Sequence, residues 1–183
     1  MRRGFDEALD EYLVLSAQAG AAEAFAHLAR RWGPKLEAFA ARVLADQEAA
    51  RDVVQETWTS AWRGLGALDD PARFRAWLYA IAHRKCTDVL RGKYRRGRLQ
   101  SAMERIADED GADEEARASA RLDVEAALLR LPTDQRIAAA LYFGEGLSLA
   151  EIAHATGASI GAVKSRLFTA RHALRALLQS DLP

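Results

Sequence analysis

Apolar residues recur at three- and four-residue steps along almost the whole chain, the period of amphipathic helices. Residues 6–19 carry Leu9, Tyr12, Leu13 and Leu15 on one predicted helix, which Gly20 ends. Residues 22–45 present Phe25, Leu28, Leu36, Phe39, Val43 and Leu44 as a buried side. Gly33-Pro34 predicts a kink or break within that segment, because proline removes an amide donor and clashes with the preceding turn. Asp46 is a suitable N-cap for a third helix over residues 47–63. The stretch GLGALDD, residues 64–70, reads as a loop, and Pro71 stands where a first helical residue is favoured, opening a helix to about residue 93.

From residue 96 to 117 the periodicity fades and the apolar content falls, as in a linker. Four more helices are predicted beyond it, over residues 119–130, 133–143, 148–156 and 159–179. They are separated at Leu131-Pro132, at Gly144-Glu145-Gly146 and at Gly157. No strand alternation, hairpin signal or internal repeat stands out. The expectation is an all-α chain of two small helical domains, an N-terminal bundle over residues 1–95 and a C-terminal helix-turn-helix domain over residues 119–183. A flexible acidic linker over residues 96–118 would join them.

With 183 residues, half of them apolar, the chain can bury a core. It has 26 Lys and Arg against 26 Asp and Glu, a balance that by itself argues against a polyanionic partner. The distribution argues the other way. Residues 71–98 hold nine basic residues and one acid, Asp88, while residues 104–115 hold seven acids and one Arg. Local patches set the field that a partner feels. Cys86 is the sole cysteine, so neither an internal disulfide nor a Cys-based zinc site can form. The N-terminal stretch turns acidic at once, which predicts no signal peptide, no membrane insertion and a cytoplasmic protein.

The stretch SIGAVKSRLFTARHALRALL, residues 159–178, contains no acid. Ile160, Val163, Leu167, Ala170, Leu174 and Leu177 form its core-facing stripe; Lys164, Phe168, Arg171 and Arg175 form a second stripe, with Arg166 beside it. The helix before it starts at Ser148 with Glu151 three residues later, a capping box. A tight turn at Gly157-Ala158 follows, and Ser159 can cap the next helix. A short helix, a glycine turn and a longer basic helix make a helix-turn-helix pattern, whose second helix enters the DNA major groove. Lys164 and Arg166 suit guanine edges or phosphates, and Ser165 suits either bases or phosphates. The competing interpretation is a solvated basic face on an ordinary bundle helix.

In DVVQETWTSAW, residues 52–62, Val54, Trp58, Ala61 and Trp62 are expected to be buried. Asp52, Gln55, Glu56 and Thr59 form the opposite, polar stripe. The chain here resembles the bacterial RNA polymerase sigma factors of the extracytoplasmic-function type. The residues that carry the likeness are DVVQETW at 52–58, FRAWLYAIAHRKCTDVLR at 74–91, LPTDQRIAAALYFGEGLSLAEIAHATG at 131–157 and GAVKSRL at 161–167. They follow the family's order and spacing from about residue 22 onward.

The resemblance implies roles that periodicity does not. Asp52, Gln55, Glu56 and Thr59 would contact the clamp coiled coil of core RNA polymerase. The helix from residue 71 to 93 would engage the −10 promoter region, with Arg84, Lys85, Arg91, Lys93, Arg95 and Arg96 near phosphates and Asp88 on the same helix. The loop containing Asp69 and Asp70 would capture a base flipped from the non-template strand. Ser159, Lys164, Ser165, Arg166, Phe168, Arg171 and Arg175 would read the −35 element as duplex. An anti-sigma factor would cover the polymerase-binding and DNA-binding faces. The acidic linker would thread toward the RNA exit path, or serve as a solvated tether. Many relatives have Asn at the position of Arg84, a basic residue at Thr169 and Thr at Ala162, so those contacts do not carry over.

His83 and Cys86 lie three apart on a helix, but two ligands do not make a zinc site. There is no phosphate loop, nucleophile turn or metal motif. No catalytic residues, cofactor or small-molecule substrate are therefore expected. Two other classes compete: a helix-turn-helix regulator that works without polymerase, and an enzyme with an appended DNA-binding domain. The first would need a dimer seam and the second a reactive site, and the sequence offers neither.

Overall fold

The computed structural model describes residues 2–104 and 124–180. Their regular elements are helical throughout. The N-terminal half contains α1 (Arg2–Gln18), α2 (Ala22–Leu44), α3 (Gln47–Gly64) and α4 (Phe74–Glu104), with 3-10 turns at Leu65–Ala67 and Pro71–Arg73. The C-terminal half contains α5 (Val124–Leu129), α6 (Thr133–Ala139), a π-helical turn (Ala140–Gly144), α7 (Leu149–Thr156) and α8 (Ile160–Ser180).

Helix α2 is the central element of the first domain. Leu28, Trp32, Leu36, Phe39 and Val43 lie on one side of it and are buried. Each large side chain taken out of water contributes about 1.5–3 kcal/mol. That explains a departure from expectation, since Pro34 neither breaks nor ends α2. Proline forfeits one backbone bond, but Trp32 and Leu36 on either side are anchored in the core. Asp46 caps α3 as predicted, its carboxylate accepting from the Ala49 amide at 3.0 Å. Asp10, nearly buried on α1, ties that helix to α2 by accepting from Trp32 Nε1 at 3.2 Å and pairing with Arg31 at 2.8 Å.

Two sequence expectations are corrected. Helix α4 does not stop near residue 93 but continues to Glu104, so the first part of the expected linker is helical. Arg84, Arg91, Lys93 and Arg95 of α4 are exposed, while Phe74, Leu78, Tyr79, Ala82 and Cys86 fix its first turns in the core. The remainder of the expected linker, residues 105–118, and the first part of the helix predicted from residue 119 lie outside the described residues. On α3 the buried residues are Ala50, Val53, Thr57 and Ala61, whereas Trp62 is 55% exposed and Val54 and Trp58 are half-buried. The small residues face the core, where helices approach closely. The tryptophans lie at its edge, packed edge-on against Phe25 at 5.5 Å for Trp58 and 4.9 Å for Trp62.

The two domains pack on each other. Helix α7 lies along α4, and the π-helical turn meets α2. A single apolar cluster runs from Leu13 and Leu36 through Tyr79 to Ile137, Leu141, Ile152 and Val163. A smaller cluster of Leu128, Leu131, Ala139 and Ala170 secures α5, α6 and α8.

Candidate polymerase and nucleic-acid interfaces

The expected helix-turn-helix is held by local chemistry. Ser148 Oγ accepts from the Glu151 amide at 3.3 Å, and the Glu151 carboxylate accepts from the Ser148 amide at 2.7 Å. This reciprocal pair starts α7. Gly157, at φ 66°, ends it in the left-handed conformation that glycine adopts without strain. Ser159 Oγ then accepts from the Ala162 amide at 3.1 Å and opens α8. Val163, Leu167 and Ala170 are buried, which turns Lys164, Ser165, Phe168, Arg171 and Arg175 outward. The Phe168 and His172 rings pack together at a tilt, with centres 4.4 Å apart. Arg166 is partly covered and reaches back to Asp134 on α6 at 2.7 Å.

On α4, Arg84, Asp88, Arg91, Lys93 and Arg95 are exposed, and Lys85 is partly covered. The acids of the loop have local tasks. Asp70 accepts from the Ala72 amide at 3.1 Å and pairs with Arg73 at 3.2 Å, while Asp69 faces solvent. Lys93 pairs with the α3 cap Asp46 at 2.8 Å, and its hydrogen bond is the main reason that this carboxyl is held below the usual carboxylate range. Burial holds His83 below the ordinary imidazole value, and Asp134 on α6 and Arg166 on α8 both act on it electrostatically. Burial pushes the Cys86 thiol up to about 12, so it is an unreactive core residue at neutral pH. Among the described residues no group of three or more His, Cys, Asp or Glu is placed to hold a metal ion. No helix among them is long and apolar enough to cross a membrane.

On α3, Asp52, Gln55, Glu56 and Thr59 are all exposed on one face. The structure joins this face to α4, because Glu56 pairs with Lys85 at 3.1 Å. Two rings were missed by sequence reasoning. Trp62 continues the spacing 52, 55, 59 to 62 and is exposed, so helical phase could have found it. Tyr94, 69% exposed, stands among Arg91, Lys93 and Arg95.

Comparison with known proteins follows this division. Residues 28–96 match the family Sigma-70 region 2, and residues 121–174 match Sigma-70, region 4. The chain is 33% identical to the RNA polymerase sigma factor CnrH of Cupriavidus metallidurans, over 96% of this chain and 97% of that protein. It is also 33% identical to the ECF RNA polymerase sigma factor SigM of Mycobacterium tuberculosis, over 96% of this chain and 87% of that one. The solved structure of CnrH in complex with the cytosolic domain of CnrY superposes with a TM-score of 0.71 at 32% identity, covering 95% of this chain and 99% of that one. The sigma factor RpoE of Bartonella quintana, in complex with the anti-sigma factor NepR, superposes with a TM-score of 0.68 at 30% identity, covering 86% and 98%. With its region 2 bundle and its region 4 helix-turn-helix in the family's order, the chain belongs to the RNA polymerase sigma factors of the ECF type.

Proposed function

We propose that this sigma factor joins core RNA polymerase through α3 and directs it to promoters that α4 and α8 read at the −10 and −35 elements. The observation that carries the reading is the exposed polar face of α3 beside a basic α4, in one chain with a capped helix-turn-helix. Asp52, Gln55, Glu56 and Thr59, extended by Trp62, form the polymerase contact. An exposed, rigidly backed tryptophan at the end of a polar stripe is the kind of residue that dominates an interface. Arg84, Lys85, Arg91, Lys93 and Arg95 meet phosphates, Asp69 and Asp70 border the site of an extruded base, and Asp88 lies among them. Lys164, Ser165, Arg166, Phe168, Arg171 and Arg175 face the −35 duplex, and Ser159 positions their helix.

The working division is residues 1–95 for core and −10 binding, 96–118 for the connection and 119–183 for −35 binding. The protein acts in the cytoplasm without catalysis of its own. Its regulator is an anti-sigma protein that covers these faces, a role supported by the CnrH–CnrY and RpoE–NepR complexes of its relatives.

Run-off transcription with purified core polymerase over a library of random upstream sequences tests the proposal. The expected result is initiation that depends on this protein, at a shared two-part motif. If no initiation occurs and the protein alone selects one duplex, it is a polymerase-independent helix-turn-helix regulator.

A further inference from the structure

The junction between the two domains contains a charge that ordinary packing does not require. Glu145, from the sequence Gly144-Glu145-Gly146, has a side chain only 6% exposed. Its carboxylate accepts from Arg42 Nη1 of α2 at 2.9 Å and from the Tyr79 hydroxyl of α4 at 2.6 Å. Its carbonyl oxygen accepts from Arg75 Nη2. Arg75 also approaches Glu151 of α7, at 4.0 Å. Every one of these donors to Glu145 belongs to the N-terminal domain.

The backbone is shaped to deliver this residue. The π-helical turn at Ala140–Gly144 brings the Glu145 amide to the Ala140 carbonyl at 3.1 Å, and the Leu147 amide closes on the Leu141 carbonyl at 3.0 Å. Gly146 sits at φ 65°. At Gly144 the guanidinium of Arg42 lies against the bare backbone, so an added Cβ would come within 2.7 Å of Arg42 Nη1 and displace it. A π-turn inside an α-helix often marks a functional position.

We infer that Glu145 is a latch, an intramolecular ion pair that holds the two promoter-reading domains closed in the free protein and opens when the polymerase takes up the chain. This rests on the reading of α4 and α8 as the −10 and −35 helices. In the closed arrangement α7 lies along α4, and Arg166 of α8 is within electrostatic reach of His83 on α4. The two elements, as their names state, are about 25 base pairs apart, ~85 Å of duplex at 3.4 Å per pair. The closed form therefore cannot occupy both, and separation has to break the Glu145 contacts. A polar pin suits that task. Its carboxylate, guanidinium and hydroxyl groups regain water when the domains part, which offsets part of the cost of exposing the apolar contacts the domains share.

Small-angle scattering of the full free chain tests the latch, with E145Q and G144A compared to the parent. E145Q removes the charge and keeps the shape; G144A leaves Glu145 in place and displaces Arg42. Both variants are expected to shift the closed-to-open ratio by roughly tenfold, since charge-assisted bonds are the strong ones. The readout is a larger radius of gyration with helix content retained. An unchanged radius in both variants overturns the inference, whatever the protein does with polymerase. Run-off transcription at limiting core polymerase is the second arm. E145Q is expected to start at the same promoter as the parent with higher yield; equal yield from an opened chain overturns the restraining role. If the parent chain itself fails to initiate, the sigma reading falls while scattering still decides the latch.

Discussion

Helices α4 and α8 are both basic and both carry an exposed aromatic ring, yet they are built differently. The first turns of α4 lie deep in the core, with Phe74, Leu78 and Tyr79 fully buried, and its Lys85 and Lys93 are tied to carboxylates on and before α3. Helix α8 has Val163 and Ala170 fully buried, but Leu174 and Leu177 only half-covered. Its Lys164, Arg171 and Arg175 point into water. Part of the positive charge of α4 is restrained by neighbouring carboxylates, whereas α8, apart from Arg166 on Asp134, presents its cations to solvent.

The largest expected effect separates the two by stability. L78A, on α4, removes a fully buried side chain and should cost about 2–5 kcal/mol. L174A, half-buried on α8, should cost less than half as much. Urea denaturation, read at constant slope, measures both; equal losses would erase the contrast.

Promoter binding gives the next effect. K164A lies in the first turns of α8, nearest the bases in a helix-turn-helix, and should cost about 1–3 kcal/mol on the preferred −35 duplex with a loss of sequence preference. K93A on α4 should weaken binding evenly across sequences and reduce the salt slope by about one. Titrating holoenzyme on matched and scrambled promoters over a range of salt tests the pair. A uniform loss for K164A would move that residue to the phosphates.

These contrasts track what the sequence could disclose. The starts of α7 and α8 were legible because caps are local: Ser148 and Glu151 are three residues apart at the first, as are Ser159 and Ala162 at the second. The phase of α3 was misread because the spacing of its apolar residues put Val54, Trp58 and Trp62 with Ala61 in the core, while the close helix contact selects Ala50, Val53, Thr57 and Ala61. Pro34 was overweighted because its cost is local and the burial that offsets it is spread over α2. Glu145 left no trace in the periodicity. A charge between two glycines reads as a solvated turn, and its partners Arg42 and Tyr79 lie 103 and 66 residues away. S148A sharpens the point about local signals, with an expected loss of about 1 kcal/mol in the thermal or urea stability of the C-terminal domain. A neutral result would mean that packing of α7 on α4 alone starts the helix.

The smallest expected effect joins the two helices. His83 on α4 is held below its ordinary value of 6.5, first by burial and then by Arg166 of α8 and by Arg84 and Arg91 of its own helix, with Asp134 of α6 opposing them. Thr87 lies one turn on, its hydroxyl donating to the His83 carbonyl at 2.8 Å. The folded chain therefore favours neutral His83, and the unfolded chain takes up the proton first as pH falls below about 6.5. Stability from this group is complete above 6.5 and is lost between 6.5 and the lower folded value. H83Q removes that dependence, so the parent and variant melting curves should run parallel above pH 7 and converge as the pH falls toward 5. An NMR titration of the ring in the folded protein checks the cause. A midpoint at or above 6.5 would mean that Asp134, and with it the C-terminal domain, outweighs burial at this position.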